Sequence, residues 1–205
     1  MDTETVIWIT DQGINTQYCI FMSVNQIPEP PVSKFLFADT RLSWLWLIFR
    51  LYIGYEWLNA GWHKVTSPVW TGSQAGVALE GFVMGALKKA GGEHPDVAGW
   101  YAAFLKDFVT HNAALFSYMV AYGELLVGIA LILGIFTGVA AFFGAFMNMN
   151  YLFAGTVSSN PVLFVLQLFL ILAWRVAGYL GLDRYVLPIL GTPWAPGKVF
   201  SKKRK

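Results

Sequence analysis

The hydropathy pattern falls into four long apolar stretches, at residues 42–62, 113–133, 135–153 and 162–180. A bilayer core about 30 Å thick takes about 20 helical residues to cross, so each stretch predicts a transmembrane helix. Gly134 predicts a very short turn between the second and third. Pro161 stands at the start of the fourth, where its missing N–H costs little. The segment between the first two stretches, residues 64–112, has a different pattern. Val97, Trp100, Tyr101, Phe104, Leu105 and Phe108 recur at helical spacing, with Asp96, Lys106 and Asp107 on the other side. This predicts an amphipathic helix lying on the membrane surface or capping the bundle. A shorter covering helix is expected over residues 73–89, ended by Gly91 and Gly92. The expected fold is an all-α membrane protein: a four-transmembrane-helix bundle with amphipathic helices in the outward loop between spans one and two.

Residues 1–39 read as a weakly structured tail. Their apolar run at residues 18–24 is too short to span, and Pro28, Pro30 and Pro31 separate it from the first apolar stretch. Asp2, Glu4, Asp11 and Glu29 precede any lysine, which is not the basic start of a secretory signal. The domain plan is therefore a tail at 1–39, a membrane domain at 40–190 and a basic C-terminal tail at 191–205.

Composition strengthens the membrane reading. Charged residues are only 13% of the 205, against 56% apolar, where a soluble domain carries about a quarter charged. Mean hydropathy is +0.52. Nine Trp suit interfacial belts. The net charge of +2, with basic residues gathered at one end and no accompanying motif, argues against nucleic-acid binding. The one cysteine, Cys19, allows no internal disulfide and no CxxC. That excludes enzymes that pass thiol electrons to quinone through cysteine pairs of their own. Lys34, Arg41, Arg184, Lys198, Lys202, Lys203, Arg204 and Lys205 outweigh Lys64, Lys88, Lys89 and Lys106 of the long loop. By the positive-inside rule both termini are expected to be cytoplasmic.

Ionisable groups within a span cost about 2.5–3.5 kcal/mol each and need partners or a wet cavity. Tyr52, Glu56, Asn59 and His63 follow i, i+4, i+7, i+11, which places them on one helix face beside Lys64. His111, Asn112, Asn148, Asn150 and Asn160 collect at the same outer end. Glu124 lies two to three turns deeper, and Arg50 or Arg175 could neutralise it. In this setting Glu56 beside His63 could relay protons from a quinol. Trp62, His63 and Lys64 could hydrogen-bond a quinone carbonyl, with aromatic rings packing on its ring. The alternative is a buried network that only fixes helix register. Three His without HxxH or HxxxH spacing give no reason to expect a metal or haem. Gly134 with Gly138, and Ala140 with Gly144, have the small-xxx-small spacing of closely packed helices.

Several segments resemble the DoxX family: RLYIGYEWLNAGWHK (residues 50–64), GWYAAFLKDFVTHNAALFSYMVAYGELLVGIALILGIFTG (residues 99–138), MNMNYLFAGTVSSNP (residues 147–161) and AWRVAGYLGLDRY (residues 173–185). The pattern is most similar to the DoxD-like small subunits of thiosulfate:quinone oxidoreductase, and it covers residues 41–188. The resemblance implies a multi-pass protein of a prokaryotic plasma membrane. It also implies oxidation of thiosulfate to tetrathionate with quinone as electron acceptor, together with a second oxidoreductase subunit. The site assignments come from the chemistry above and not from the family. They are a proton relay of Glu56, His63 and Glu124, and a quinone-binding set of Tyr52, Asn59, Trp62, Lys64, His111 and Arg175. The alternative function is a non-catalytic membrane scaffold holding a partner enzyme through residues 64–112 or the cationic tail. A homo-oligomer stays open. Alternating-access transport has little to build on, since no internal repeat is visible.

Overall fold

The computed structural model describes residues 29–191 in full and the backbone of residues 5–9 and 18–22. The chain divides into two units, residues 1–34 and residues 35–205. In the first, β1 (Thr5–Ile9) and β2 (Tyr18–Met22) form an antiparallel hairpin with Thr5 opposite Met22 and Ile9 opposite Tyr18. The expectation of a weakly structured tail did not include this hairpin, and residues 1–4, 10–17 and 23–28 lie outside the described residues. Both strands, TVIWI and YCIFM, are rich in the β-branched and aromatic residues that suit a sheet. A short helix, α1 (Pro31–Ala38), comes next in the chain. The basic tail with Lys198, Lys202, Lys203, Arg204 and Lys205 lies outside the described residues.

Asp39 starts the larger unit's first long helix. Its carboxylate accepts from the Arg41 backbone N–H at 2.9 Å and from the Arg41 guanidinium at 2.6 Å. That hydrogen-bonded guanidinium holds the Asp39 carboxyl down at about 2. Helix α2 (Ser43–Val65) then buries Trp46, Arg50, Ile53, Trp57 and Gly61 along one face. Its other face exposes Trp44, Ile48, Leu51 and Tyr55. The outer faces of the remaining long helices are apolar in the same way, for example Phe142, Phe143 and Phe146. Apolar outer faces of this kind belong against other protein or in lipid.

After α3 (Pro68–Thr71) and α4 (Val77–Lys88) comes one continuous helical rod, Gly99–Leu133. It comprises α5 (Gly99–Phe104), a π turn (Leu105–Val109), a 3-10 turn (Thr110–Asn112) and α6 (Ala113–Leu133). The expected separate amphipathic helix is therefore the first part of the same rod that forms the second expected span. The physical reason is the wide π turn. Along the rod the buried residues Tyr101, Leu105, Val109, Ala113, Ser117 and Ala121 recur every four positions, a spacing that would drift around an ideal 3.6-residue helix. The extra residue in the turn resets that drift. The expected shorter helix over residues 73–89 contracts to α4, because Gly76 enters it with φ of +103°.

Helix α7 (Thr137–Phe153) returns beside α6. The expected fourth span is broken: α8 (Asn160–Leu172) ends at Ala173, and a single turn, α9 (Trp174–Ala177), precedes α10 (Asp183–Leu190). The break lets Asp183 reach the turn between α6 and α7. Its carboxylate accepts from the backbone N–H groups of Phe136 at 2.5 Å and Thr137 at 2.9 Å. Those bonds hold Phe136 at its positive φ of 48°. Arg50, 1% exposed, donates to the Leu180 carbonyl at 2.9 Å. Its guanidinium fills the space over Gly134, where a Cβ would collide with it. Among the described residues one helix, the Gly99–Leu133 rod, is long and apolar enough to cross a membrane by length and composition. The other long helices fall short: α2 carries Arg50, Glu56 and Lys64, α7 has 17 residues and α8 has 13.

The closest crossing is between α2 and α6. A Cβ on Gly61 would stand 2.3 Å from the Leu125 backbone nitrogen, and one on Gly128 would stand 2.3 Å from that of Leu58. The two backbones therefore touch. The Gly138 and Gly144 positions flagged by small-residue spacing serve a different contact, against Trp174 and Gln167. Gly61→Ala and Gly128→Ala should each destabilise the protein by about 1–3 kcal/mol through forced separation of the helices. The check is denaturant unfolding in detergent, with Gly81→Ala, whose added Cβ meets nothing, as the neutral control.

Candidate functional site

The glycine crossing sets the height at which α2 ends. With Gly61 against Leu125, the next turn carries Lys64 past the α6 backbone to the side chain of Glu124. Lys64 Nζ donates to Glu124 Oε2 at 2.5 Å, and the Tyr151 hydroxyl of α7 donates to Oε1 at 2.5 Å. Glu124 is 1% exposed, so each of its oxygens meets a partner within the protein. Neither arginine neutralises it: Arg50 is engaged with Leu180, and the Arg175 guanidinium lies 6.0 Å from the Trp174 ring centre.

The ammonium of Lys64 also sits 5.2 Å from the centre of the Trp70 ring, a cation–π distance. Trp70 is placed by α3, which is tied to α6 twice. Ser117 Oγ donates to the Trp70 carbonyl at 2.6 Å, and the Tyr118 hydroxyl donates to the Thr71 carbonyl at 2.7 Å. Tyr151 is clasped between rings, stacked on Trp57 at 6.5 Å and edge-on to Phe82 at 6.0 Å.

These groups wall a cavity of about 280 Å³. Its charged members are Glu56, Glu124 and Lys64, and its aromatic members are Trp57, Trp70, Phe82 and Tyr151. The connection from α7 into α8 adds Thr156, Ser158, Ser159 and Asn160. Asn148 closes another part of the wall and donates through Nδ2 to Gln167 Oε1 at 2.7 Å. Three buried polar atoms around this pair have no protein hydrogen-bond partner: Trp57 Nε1, Asn148 Oδ1 and Gln167 Nε2.

Of the residues singled out in the sequence, the cavity brings together Glu56, Lys64, Glu124, Asn148 and Asn160. It does not gather the rest. Tyr52, Asn59 and His63 are exposed, as is Trp62 beside them, because their stripe turns away from the buried Trp46–Ile53–Trp57–Gly61 face, and Glu56 alone lies at its inner edge. His111 is exposed ahead of α6, and Arg175 is half-buried on α9 outside the cavity lining. Sequence reasoning missed Tyr151, Trp57, Trp70 and Gln167 as site residues. The signal for the first was present: Gly144, Asn148 and Tyr151 follow i, i+4, i+7 along α7. Among the described residues, no group of three or more His, Cys, Asp or Glu side chains converges to hold a metal ion.

The arrangement can bind a small ring between aromatic walls and can pass protons. A carboxylate held between an ammonium and a phenol joins three exchangeable groups in a line. Breaking the ion pair should be costlier than deleting it. Lys64→Met or Glu124→Gln alone leaves a buried group without its partner, at about 3 kcal/mol. The double variant Lys64→Met/Glu124→Leu should recover most of that loss. Thermal unfolding of the three variants in one detergent checks this, and equal stability of all three would show the pair to be fully screened by solvent.

A family model described as DoxX matches residues 45–156, more than half of the chain. The match includes Glu56, Lys64, Glu124, Asn148 and Tyr151 and ends before Gln167. No curated protein and no solved structure matches the chain.

Proposed function

Because the chain belongs to the DoxX family, a membrane family, we propose that it crosses the bilayer four times and serves as the membrane subunit of a quinone-linked oxidoreductase. The spans are α2, α6 with its rod, α7, and α8 with α9. The termini are cytoplasmic, as the Lys/Arg bias expects, and the membrane is the plasma membrane of a prokaryote. The cavity then lies in the outward half and takes the quinone headgroup.

One observation carries this reading: Glu124 sits between Lys64 and Tyr151 in the wall of an aromatic-lined cavity. Reduction of a quinone to a quinol consumes two electrons and two protons. The hydrogen-bonded set supplies exchangeable protons beside the ring, and half-buried Glu56 offers a second carboxyl in the same wall. Thiosulfate is the donor that the family resemblance suggests. Two thiosulfates joined by a new S–S bond into tetrathionate release two electrons, which balance the reduction of one quinone. Two carboxylates against one ammonium give the cavity a field unfavourable to a dianion. The donor chemistry is therefore assigned to a second subunit, and this chain handles the quinone.

A second reading, a non-catalytic scaffold for a partner oxidoreductase, draws on the exposed aromatic side chains Trp100, Phe104 and Phe108 at the start of the rod. Thiosulfate-dependent quinone reduction in native membranes separates the two. Membranes from cells lacking the gene should lose the activity and regain it with the wild-type chain. Glu124→Gln and Glu56→Gln should lower turnover by about a hundredfold and about tenfold respectively, within the range of general acid–base contributions. Activity restored equally by both variants favours the scaffold. Activity indifferent to the gene removes the quinone-linked reading.

A further inference from the structure

The cavity contains a hydrogen-bonding feature that the Lys64–Glu124–Tyr151 set does not use. Asn148 and Gln167 are both fully buried and joined amide to amide, Nδ2 to Oε1 at 2.7 Å. A primary amide carries one acceptor end and one donor end. With one end of each spent on the other, Asn148 keeps a free carbonyl oxygen and Gln167 a free NH2, and neither has a protein partner. The Trp57 N–H, on a side chain 3% exposed, is unpaired as well. Trp57 Nε1 and Gln167 Nε2 both lie over Gly144, where an added Cβ would be 3.2 Å from the first and 2.1 Å from the second.

Unsatisfied buried polar atoms are costly, and three gathered at one wall need an explanation. The network of this amide pair does not satisfy its own members. This one leaves donors and an acceptor over, on residues of which Asn148 and Trp57 face the cavity.

The amide pair has a second property. Turning both side-chain amides end over end preserves a hydrogen bond between them and exchanges what each presents. Asn148 then offers NH2 to the cavity in place of its carbonyl, and Gln167 brings a carbonyl oxygen to the Gly144 face that it shares with the Trp57 N–H. The wall can thus meet an acceptor or a donor at the same place, with no backbone movement.

Resting on the quinone reading, we propose that Asn148, oriented by Gln167 and flanked by the Trp57 N–H, is the subsite for one ring oxygen of the bound quinone or quinol. Asn148 donates NH2 to the carbonyl of the oxidised ring. It accepts the hydroxyl of the reduced ring through its own carbonyl. Gln167 is a positioning residue that turns with each exchange. The ligand class is a neutral ring whose oxygen alternates between carbonyl and hydroxyl. The second ring oxygen is left to the Glu124–Tyr151 side, so the two ends of the ring meet different partners.

The test uses the full chain in lipid nanodiscs with duroquinone and duroquinol as probes. Quenching of tryptophan fluorescence measures binding, and infrared difference spectra report the carbonyls of bound duroquinone. The wild-type chain should bind both forms and split the two carbonyl stretches, one displaced to lower frequency. Asn148→Leu should weaken both ligands roughly tenfold, the loss of one hydrogen bond to a buried partner, and should collapse the splitting. Gln167→Leu should keep most of the affinity for one redox form and lose it for the other, which a purely structural residue would not do. Two equivalent carbonyls in the wild-type spectrum would overturn the subsite, and that measurement needs no variant to fold. Wild-type affinity and splitting in Asn148→Leu would overturn it as well. A wild-type chain that binds neither probe would remove the quinone reading along with it.

Discussion

Backbone contact between α2 and α6 is the constraint on which the rest depends. At Gly61 and Gly128 each helix is thin enough to let the other helix's backbone reach van der Waals range. Packing in lipid has no hydrophobic drive between helices, so close fit and hydrogen bonding must supply the attraction. The same contact fixes the relative height of the two helices, and height decides which polar groups meet. One turn beyond Gly61, Lys64 arrives at Glu124. A shift along the axis by one helical turn would part them and leave Glu124 buried without its ammonium partner.

The polar groups are divided between two places in the bundle. One holds Lys64, Glu124 and Tyr151 around an open volume. The other holds Arg50, Leu180 and Asp183 around glycines, with the guanidinium occupying the room that a side chain at Gly134 would need. Both bury charge, yet they differ in what the charge faces. Asp183 spends both its oxygens on backbone N–H groups that close the α6–α7 turn, which is the work of a structural group. Glu124 is bound by two titratable side chains beside a cavity, an arrangement suited to moving protons.

Much of this is visible in the sequence, and the reasons for the misses are physical. Glu56, Lys64 and Glu124 stand out because ionisable residues in apolar stretches must find partners. Tyr52, Asn59 and His63 share a stripe with Glu56, and polarity alone groups them with it. On α2 polarity does not mark the inner face, which is made of Trp46, Ile53, Trp57 and Gly61. Tyr151 and Trp57 are hidden by abundance, being two among many aromatic residues. The helix positions at residues 113–133 and 137–153 are legible from hydropathy. The break at Ala173 is not, since no proline or charge precedes it and its cause, the demand of the α6–α7 turn for Asp183, lies across the fold. The hairpin of residues 5–9 and 18–22 is hard to read because neither strand is long and prolines come soon after.

The Arg50 cluster has a consequence for how the protein is made. Arg50 belongs to the first long helix to leave the ribosome, and its hydrogen-bond acceptor, the Leu180 carbonyl, belongs to nearly the last described segment. Asp183, which closes the turn between the middle helices, emerges later still. The first helix therefore carries a guanidinium without its native partner throughout synthesis of the intervening chain. Until residues 180–183 arrive, that charge must find another partner or stay in water. A chain truncated before Leu180 therefore lacks the native acceptor of the Arg50 guanidinium.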